Sequence, residues 1–193
     1  MMYSKEAINE MSLRASVFIA VSLDGFIARA GGELDWLDAA NATVPEGEDC
    51  GYQAFMDSID VLIMGRKTYE KVLSFGQWPY GSKPVIVLSR HIIEIPDELI
   101  QTVSHSSESP KELYERLSKK GAKRLYIDGG LTIQRFLAEG LINDLTMTVI
   151  PVIIGSGIPL FGNNGQDIPL KQIATKTYDF GFVQLSYEVL KEV

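Results

Sequence analysis

Residues 60–70, DVLIMGRKTYE, set a short apolar run against a glycine, two cations and the start of a helical pattern. The same grammar returns at residues 84–90, PVIVLSR, and at residues 124–132, RLYIDGGLT. Each run is β-branched or apolar almost throughout, as a strand covered on both faces must be. Each closes on a turn carrying Gly, Ser, Arg or Lys. Strands that alternate with helices in this way predict a mostly parallel sheet.

Working outward, ASVFIAVS at residues 15–22 reads as a further buried strand, and Asp24 shapes the tight turn before Gly25. Gly, Asp and Asn crowd the stretch from Gly31 to Gly47, which reads as a long loop without regular structure. Glu48 to Ser58 carries Tyr52, Phe55, Met56 and Ile59 at helical spacing. Ser109, Pro110 and Glu112 form a capping box that starts a helix running to about Lys120 and stopping at Gly121. A helix after Gly130 puts Ile133, Phe136, Leu137 and Leu141 on one face. Leu145 to Ile153 then reads as a long strand, and the last segment as two strands joined by a turn at Asp179 to Gly181. The expected architecture is a three-layer α/β fold. Its central sheet is mostly parallel with an antiparallel C-terminal hairpin, and helices cover both faces. Residues 1–13 read as a flexible N-terminal extension, and residues 14–193 as a single domain.

Composition narrows the function. With 18 Lys plus Arg against 25 Asp plus Glu, the formal net charge is −7, which argues against a general nucleic-acid binder. Cys50 has no partner for an internal disulfide, and with His91 and His105 it cannot complete a zinc site of usual type. No run reaches the length of a membrane span, and MMYSKEAINEMSLR lacks the apolar region of a signal peptide. A cytoplasmic protein is the expectation.

The three strand-ending turns carry the chemistry. Gly permits close backbone approach, helix N-termini present free N–H groups, and Arg66, Lys67 and Arg90 supply charge. In an open parallel sheet, ligands bind beyond the carboxyl ends of the strands. The turns therefore either line a groove for one phosphate-bearing nucleotide or hold glycine for steric reasons alone. There is no GxGxxG, and GQWPYGSK at residues 76–83 misses the phosphate loop because Pro84 follows the lysine.

Six blocks in order resemble the dihydrofolate reductase-like family, most closely its RibD C-terminal reductase branch. They are VSLDGFIA with DWL (Val21 to Leu37), IDVLIMGRKTYE (Ile59 to Glu70), VIVLSR (Val85 to Arg90), YIDGGLTIQRFLAEGLINDL (Tyr126 to Leu145), TMTVIPVIIGSGIPLF (Thr146 to Phe161) and GFVQLSYEV (Gly181 to Val189). The resemblance implies NADPH as cofactor and a reductase acting on a pteridine-, pyrimidine- or related heterocyclic or carbonyl-containing small molecule. It places Ala20 and Ile27 beside the nicotinamide, with the loop from Asp24 to Trp36 as a lid. It places Gly65, Arg66, Lys67 and Thr68 on the cofactor phosphates, and Ser89 and Arg90 by the adenosine 2′-phosphate. Gly129, Gly130, Leu131 and Thr132 would contact the pyrophosphate, with Asp128 where dihydrofolate reductases have a further glycine.

Counting back from Met64 against the family's pterin-binding carboxylate lands on Asp49, beside Glu48; an acid there either anchors and helps protonate the substrate or complements a helix dipole. Asp35 is a second candidate acid, unless it caps a turn. Trp36 and Tyr52 are the candidate substrate-facing aromatics, although Trp36 could equally plug a packing gap. The branch also implies a homodimer that pairs through the C-terminal strands. Two rivals stand beside this reading. One is the riboflavin-pathway reduction of a ribosylaminopyrimidine phosphate, which a basic cluster would support; the other is a non-catalytic nucleotide-binding protein.

Overall fold

A computed structural model describes residues 13–163 and 165–190. The strands are β1 (Arg14–Ser22), β2 (Phe26–Ala28), β3 (Val61–Gly65), β4 (Val85–Leu88), β5 (Val103–Ser106), β6 (Arg124–Asp128), β7 (Asp144–Ile150), β8 (Ile158–Pro159), β9 (Leu170–Thr177) and β10 (Val183–Val189). The helices are α1 (Asp35–Asn41), α2 (Tyr52–Asp57), α3 (Arg66–Leu73), α4 (Pro110–Lys119) and α5 (Gly130–Ala138). Eight strands form one sheet in the order β5-β4-β3-β6-β1-β7-β10-β9, while β2 and β8 pair separately. All neighbours from β5 to β7 are parallel, and β10 pairs antiparallel with both β7 and β9. The mostly parallel sheet expected from the alternation of strands and helices is present, with its antiparallel C-terminal pair, in the arrangement that the resemblance implied.

Alternating residues of β1 serve the two faces, as the period of a strand requires. Ala15, Val17 and Val21 join Leu113 and Leu117 of α4 and Ile133, Phe136 and Leu137 of α5 in the larger core. On the opposite face, Phe18 packs with Phe55, Met56 and Ile59 from α2 and its end, Tyr69 of α3, and Tyr126 of β6. Ala20 meets a third cluster built from Trp36, Ile150, Tyr178 and Phe182. At the amino ends of the strands, Arg124 donates to Ser16 Oγ, Ser58 Oγ and Asp144 Oδ1 and lies over the Phe55 ring.

Several sequence expectations need correction. The extension does not include Leu13, which is 2% exposed and whose carbonyl accepts from the Tyr114 hydroxyl; residues 1–12 lie outside the described residues. The stretch from Gly31 to Gly47 contains α1, because Trp36 is buried and draws about two turns of helix onto the third cluster. The helix expected from Glu48 starts only at Tyr52, since Cys50 (φ 54°) and Gly51 (φ 82°) lie in the left-handed region. β5 was not legible as a strand: it is four residues, VSHS, with two polar side chains and a histidine. β7 ends at Ile150, before Pro151, which has no N–H to offer a ladder. Leu141 lies beyond the end of α5 yet still packs against the core. The capping box at Ser109 and the C-terminal turn through Gly181 (φ 95°) stand as read.

No peptide bond among the described residues is cis. No helix among them is long and apolar enough to cross a membrane.

Candidate functional site

The carboxyl ends of β3 and β6 lie side by side, with Met64 opposite Asp128 in the parallel register. Each strand turns at once into a helix, α3 after Gly65 and α5 after Gly129, and neither N-terminus is capped by a side chain. Their first N–H groups therefore remain for an anion. The two turns interlock. A Cβ on Gly65 would sit 2.9 Å from Thr132 Oγ1, and one on Gly129 would collide with Thr68 Oγ1. A Cβ on Gly130 would press within 3.1 Å of Ile27 Cδ1 and Ile158 Cγ2, from the small β2–β8 sheet. Each glycine thus lets its neighbours approach more closely than any side chain would allow. Beside it, Arg66 is half-exposed and held only by Glu70 at 3.4 Å. Leu131 leaves an apolar side chain 60% exposed on the first turn of α5.

The end of β4 adds a third turn. The Ser89 hydroxyl donates to the His91 carbonyl, and the Ser89 amide donates to the Ser106 carbonyl, so Ser89 shapes the turn. His105 Nε2 lies 2.8 Å from the Ser89 carbonyl and donates to it, a support that the sequence did not suggest. Arg90 is exposed and has no ion-pair partner among the described residues. Two uncapped helix N-termini and the cations Arg66 and Arg90 thus stand in a row at the ends of three neighbouring strands, donors of the kind a dinucleotide phosphate chain requires. Lys67 is exposed on the same first turn as Arg66.

Next to the row opens a cavity of about 620 Å³. Phe18 and Ala20 of β1, Tyr126 of β6, Thr148 and Ile150 of β7, Tyr52 of α2 and Leu37 of α1 line it, with Glu48, Asp49 and Cys50 along one side. Such dimensions suit a small-molecule ligand. Ala20 and Tyr52, both expected at the site, line this cavity. Trp36 is not: it is 5% exposed within the third cluster and does not line the cavity. Asp35 also stands away from the cavity, gripped by the Arg29 guanidinium through two bonds of 2.7 and 2.8 Å that hold its carboxyl below the usual range.

The acids now separate. Asp49 accepts from the Gly51 and Gln53 amides, both at 2.8 Å, and those bonds lower its pKa. It closes the N-terminus of α2 and holds no proton near neutrality. Asp128 behaves in the opposite way. Burial pushes its carboxyl up to about 6, against the opposing pull of the Gly129 amide at 2.8 Å. Its charge bears on the phenols of Tyr52, Tyr80 and Tyr126, and burial raises all three. Tyr52 is pushed up to about 12, so it remains a neutral donor. Tyr126 and Thr148 were missed because strand alternation marks them as inward but cannot show a cavity there. Gln184, opposite Thr148 on β10, donates to Thr148 Oγ1 (3.1 Å) and to the Cys50 carbonyl (2.9 Å).

Comparison with known proteins gives the family and the fold. Residues 16–183 match the family model of the RibD C-terminal domain. The chain is 36% identical over 181 residues to the uncharacterized protein YwjB of Bacillus subtilis, covering 92% of this chain and 98% of that one. A crystal structure of a "putative riboflavin biosynthesis protein" from Shewanella sp. PV-4 superposes with a TM-score of 0.86 at 39% identity, over 93% of this chain and all of that one. Dihydrofolate reductase from Enterococcus faecalis, complexed with NADP(H), shares the fold with a TM-score of 0.60 at 16% identity, over 92% and 97% of the two chains.

Proposed function

Since the chain belongs to the RibD C-terminal domain family, we propose that it is an NADPH-dependent reductase of a pteridine-, pyrimidine- or related heterocyclic or carbonyl-containing small molecule. The observation that carries this reading is the pair of uncapped N-termini, of α3 and α5, at the adjacent carboxyl ends of β3 and β6, with Arg66 beside them. Gly65, Arg66, Lys67, Thr68 and residues 129–132 would hold the phosphates, and Arg90 would take the 2′-phosphate. When bound, the cofactor supplies a hydride. The resemblance sets Ala20 and Ile27 beside the nicotinamide; of the two only Ala20 lines the cavity, where Phe18, Tyr52 and Tyr126 offer aromatic faces to a flat ligand.

A proton must also reach the substrate. We assign its delivery to Asp128 and not to Asp49, because a carboxyl near 6 keeps a protonated fraction at working pH while one held below the usual range does not. Asp128 does not itself line the cavity, but its charge bears on the Tyr52 and Tyr126 phenols, which do, and Tyr126 donates to the Phe18 carbonyl at 2.8 Å. A proton donor of this kind works only while protonated, so turnover should fall as pH rises through about 6. Titrating the protein into NADPH and following nicotinamide fluorescence tests the core of the proposal. No binding at tens of micromolar, or equal affinity for NADH, would overturn it.

The name of the Shewanella relative points to riboflavin biosynthesis, and this supports a second reading, the reduction of a ribosylaminopyrimidine phosphate that the resemblance implies for that pathway. We also propose a homodimer through β9 and β10. Every residue of β9 is exposed at this sheet edge, including Leu170 (40%) and Ile173 (57%), which supports a partner there. Sedimentation equilibrium giving a monomer at tens of micromolar would exclude it.

A further inference from the structure

We infer that the cavity takes a phosphate-free planar heterocycle and excludes a ribosylaminopyrimidine phosphate, an inference that rests on the reductase reading and decides between its two substrates.

Charge carries the argument. Among the described residues, no Lys, Arg or His lines the cavity, whereas Glu48 and Asp49 stand together along one side. The nearest cation to that pair, Lys176 of β9, lies 3.9 Å from Glu48 Oε2 and 4.2 Å over the Tyr178 ring, so it is already engaged. A helix N-terminus could replace a basic side chain as phosphate binder, and α2 does begin at the cavity. Its first amides are taken, however: Gly51 and Gln53 donate to Asp49, and Cys50 N donates to Glu48 Oε1 at 2.7 Å. The place where a phosphate would be welcomed is filled by two of the chain's own carboxylates.

What remains is suited to a neutral or cationic ring. Phe18, Tyr52, Tyr126 and Phe182 give aromatic walls, and the polar groups are the Thr148 hydroxyl, the Tyr52 phenol, the Asn41 amide and the Cys50 thiol. Thr148 is 6% exposed, and its oxygen accepts from Gln184, which leaves its proton to donate to a ring carbonyl. Burial pushes the Cys50 thiol up, so it too is neutral.

Geometry sets the size of the effect. A cavity of this volume is roughly 10 Å across, so a phosphate inside it lies about 8 Å from each carboxylate, and each pair of unit charges costs about 2.4-fold in water. Two phosphate charges against two carboxylates compound to roughly thirty-fold at low salt, and Lys176 offsets part of this, which leaves about tenfold.

The test uses the full chain loaded with NADPH and a matched pair of probes, 5-amino-6-ribosylaminouracil and its 5′-phosphate, with binding followed by calorimetry. The phosphate-free probe should bind at least tenfold more tightly at low salt, and the gap should narrow as salt rises. A basic subsite would do the reverse, with the phosphorylated probe tighter and weakening with salt. Glu48→Lys, checked for folding by circular dichroism, should improve the phosphorylated probe about tenfold relative to the other; should the variant not fold, the salt dependence of the unaltered protein decides alone. Equal affinities, tighter binding of the phosphate, or binding of neither probe to the NADPH-loaded protein overturns the inference and leaves the cofactor reading intact. Failure to bind NADPH at all removes the reading itself.

Discussion

Asparagine at position 128 should make the protein more stable, by an amount that depends on pH. Asp128 has its carboxyl pushed from 3.8 to about 6 by burial, a displacement equivalent to about 3 kcal/mol. The sign follows from the raised value. The folded state favours the protonated acid, so its contribution is fully present below about pH 4 and is lost as pH rises through about 6. Asparagine imitates the protonated form at every pH, and its amide oxygen can still accept from the Gly129 amide that Asp128 engages at 2.8 Å. The stability difference between Asp128→Asn and the unaltered protein should therefore be near zero at pH 3.5, about 1.5 kcal/mol at pH 5 and about 3 kcal/mol at pH 7.5. Urea titrations at those three values, followed by the fluorescence of Trp36 and Trp78, give the difference directly, because all other titrating groups are common to both proteins. A difference that stays flat across this range, or a variant weaker at pH 7.5, would refute the reasoning. The same variant should lose most of its reductase turnover together with the decline in rate above pH 6, so stability and activity move in opposite directions.

Other expectations follow from the groove and the core. Arg66→Ala should weaken NADPH binding by about 1.5–3 kcal/mol, as removal of a charge-assisted bond does, and Arg90→Ala should lessen the preference for NADPH over NADH in the same titration. Gly129→Ala forces a side chain to φ 87° and onto Thr68 Oγ1, so it should cost about 1–3 kcal/mol in chemical denaturation. Adding Thr68→Ala should recover the collision but not the backbone strain, a separation that a double-mutant cycle reads. Phe136→Ala, at a site with no exposure, should lose about 3–5 kcal/mol in thermal or urea unfolding without changing NADPH affinity per folded molecule.

The parts of the fold legible in the sequence are those fixed by local rules. The Ser109 capping box, the strand at residues 124–128 and the turn through Gly181 each depend on a few neighbouring residues and sit where expected. The glycine turns after β3 and β6 could be located but not paired, because their interlock through Thr68 and Thr132 needs two segments more than 60 residues apart. Long-range burial defeated the rest. α1 forms because Trp36 finds a pocket among Ile150, Tyr178 and Phe182, residues that lie far along the chain. The same burial withdraws Trp36 from the ligand. Asp49 was identified by position, but its pKa is set by amides that only the left-handed bend at Cys50 and Gly51 turns toward it. Asp128 was read as part of a phosphate-binding turn, since nothing local distinguishes an exposed acid from one sunk beside three tyrosines.

The strand order has a consequence for how the molecule is made. β1, made well before either of its partners, lies inside the sheet between β6 and β7. Its neighbours begin about 100 residues later, so at about 5–20 residues per second the apolar segment VFIAV waits roughly 5–20 seconds with both edges unpaired. During that interval it is an open template for another chain. Translation speed and chaperone cover over the first two thirds of synthesis therefore bear on yield more than the stability of the finished domain does, and a chain interrupted before β7 leaves its most central strand as an edge.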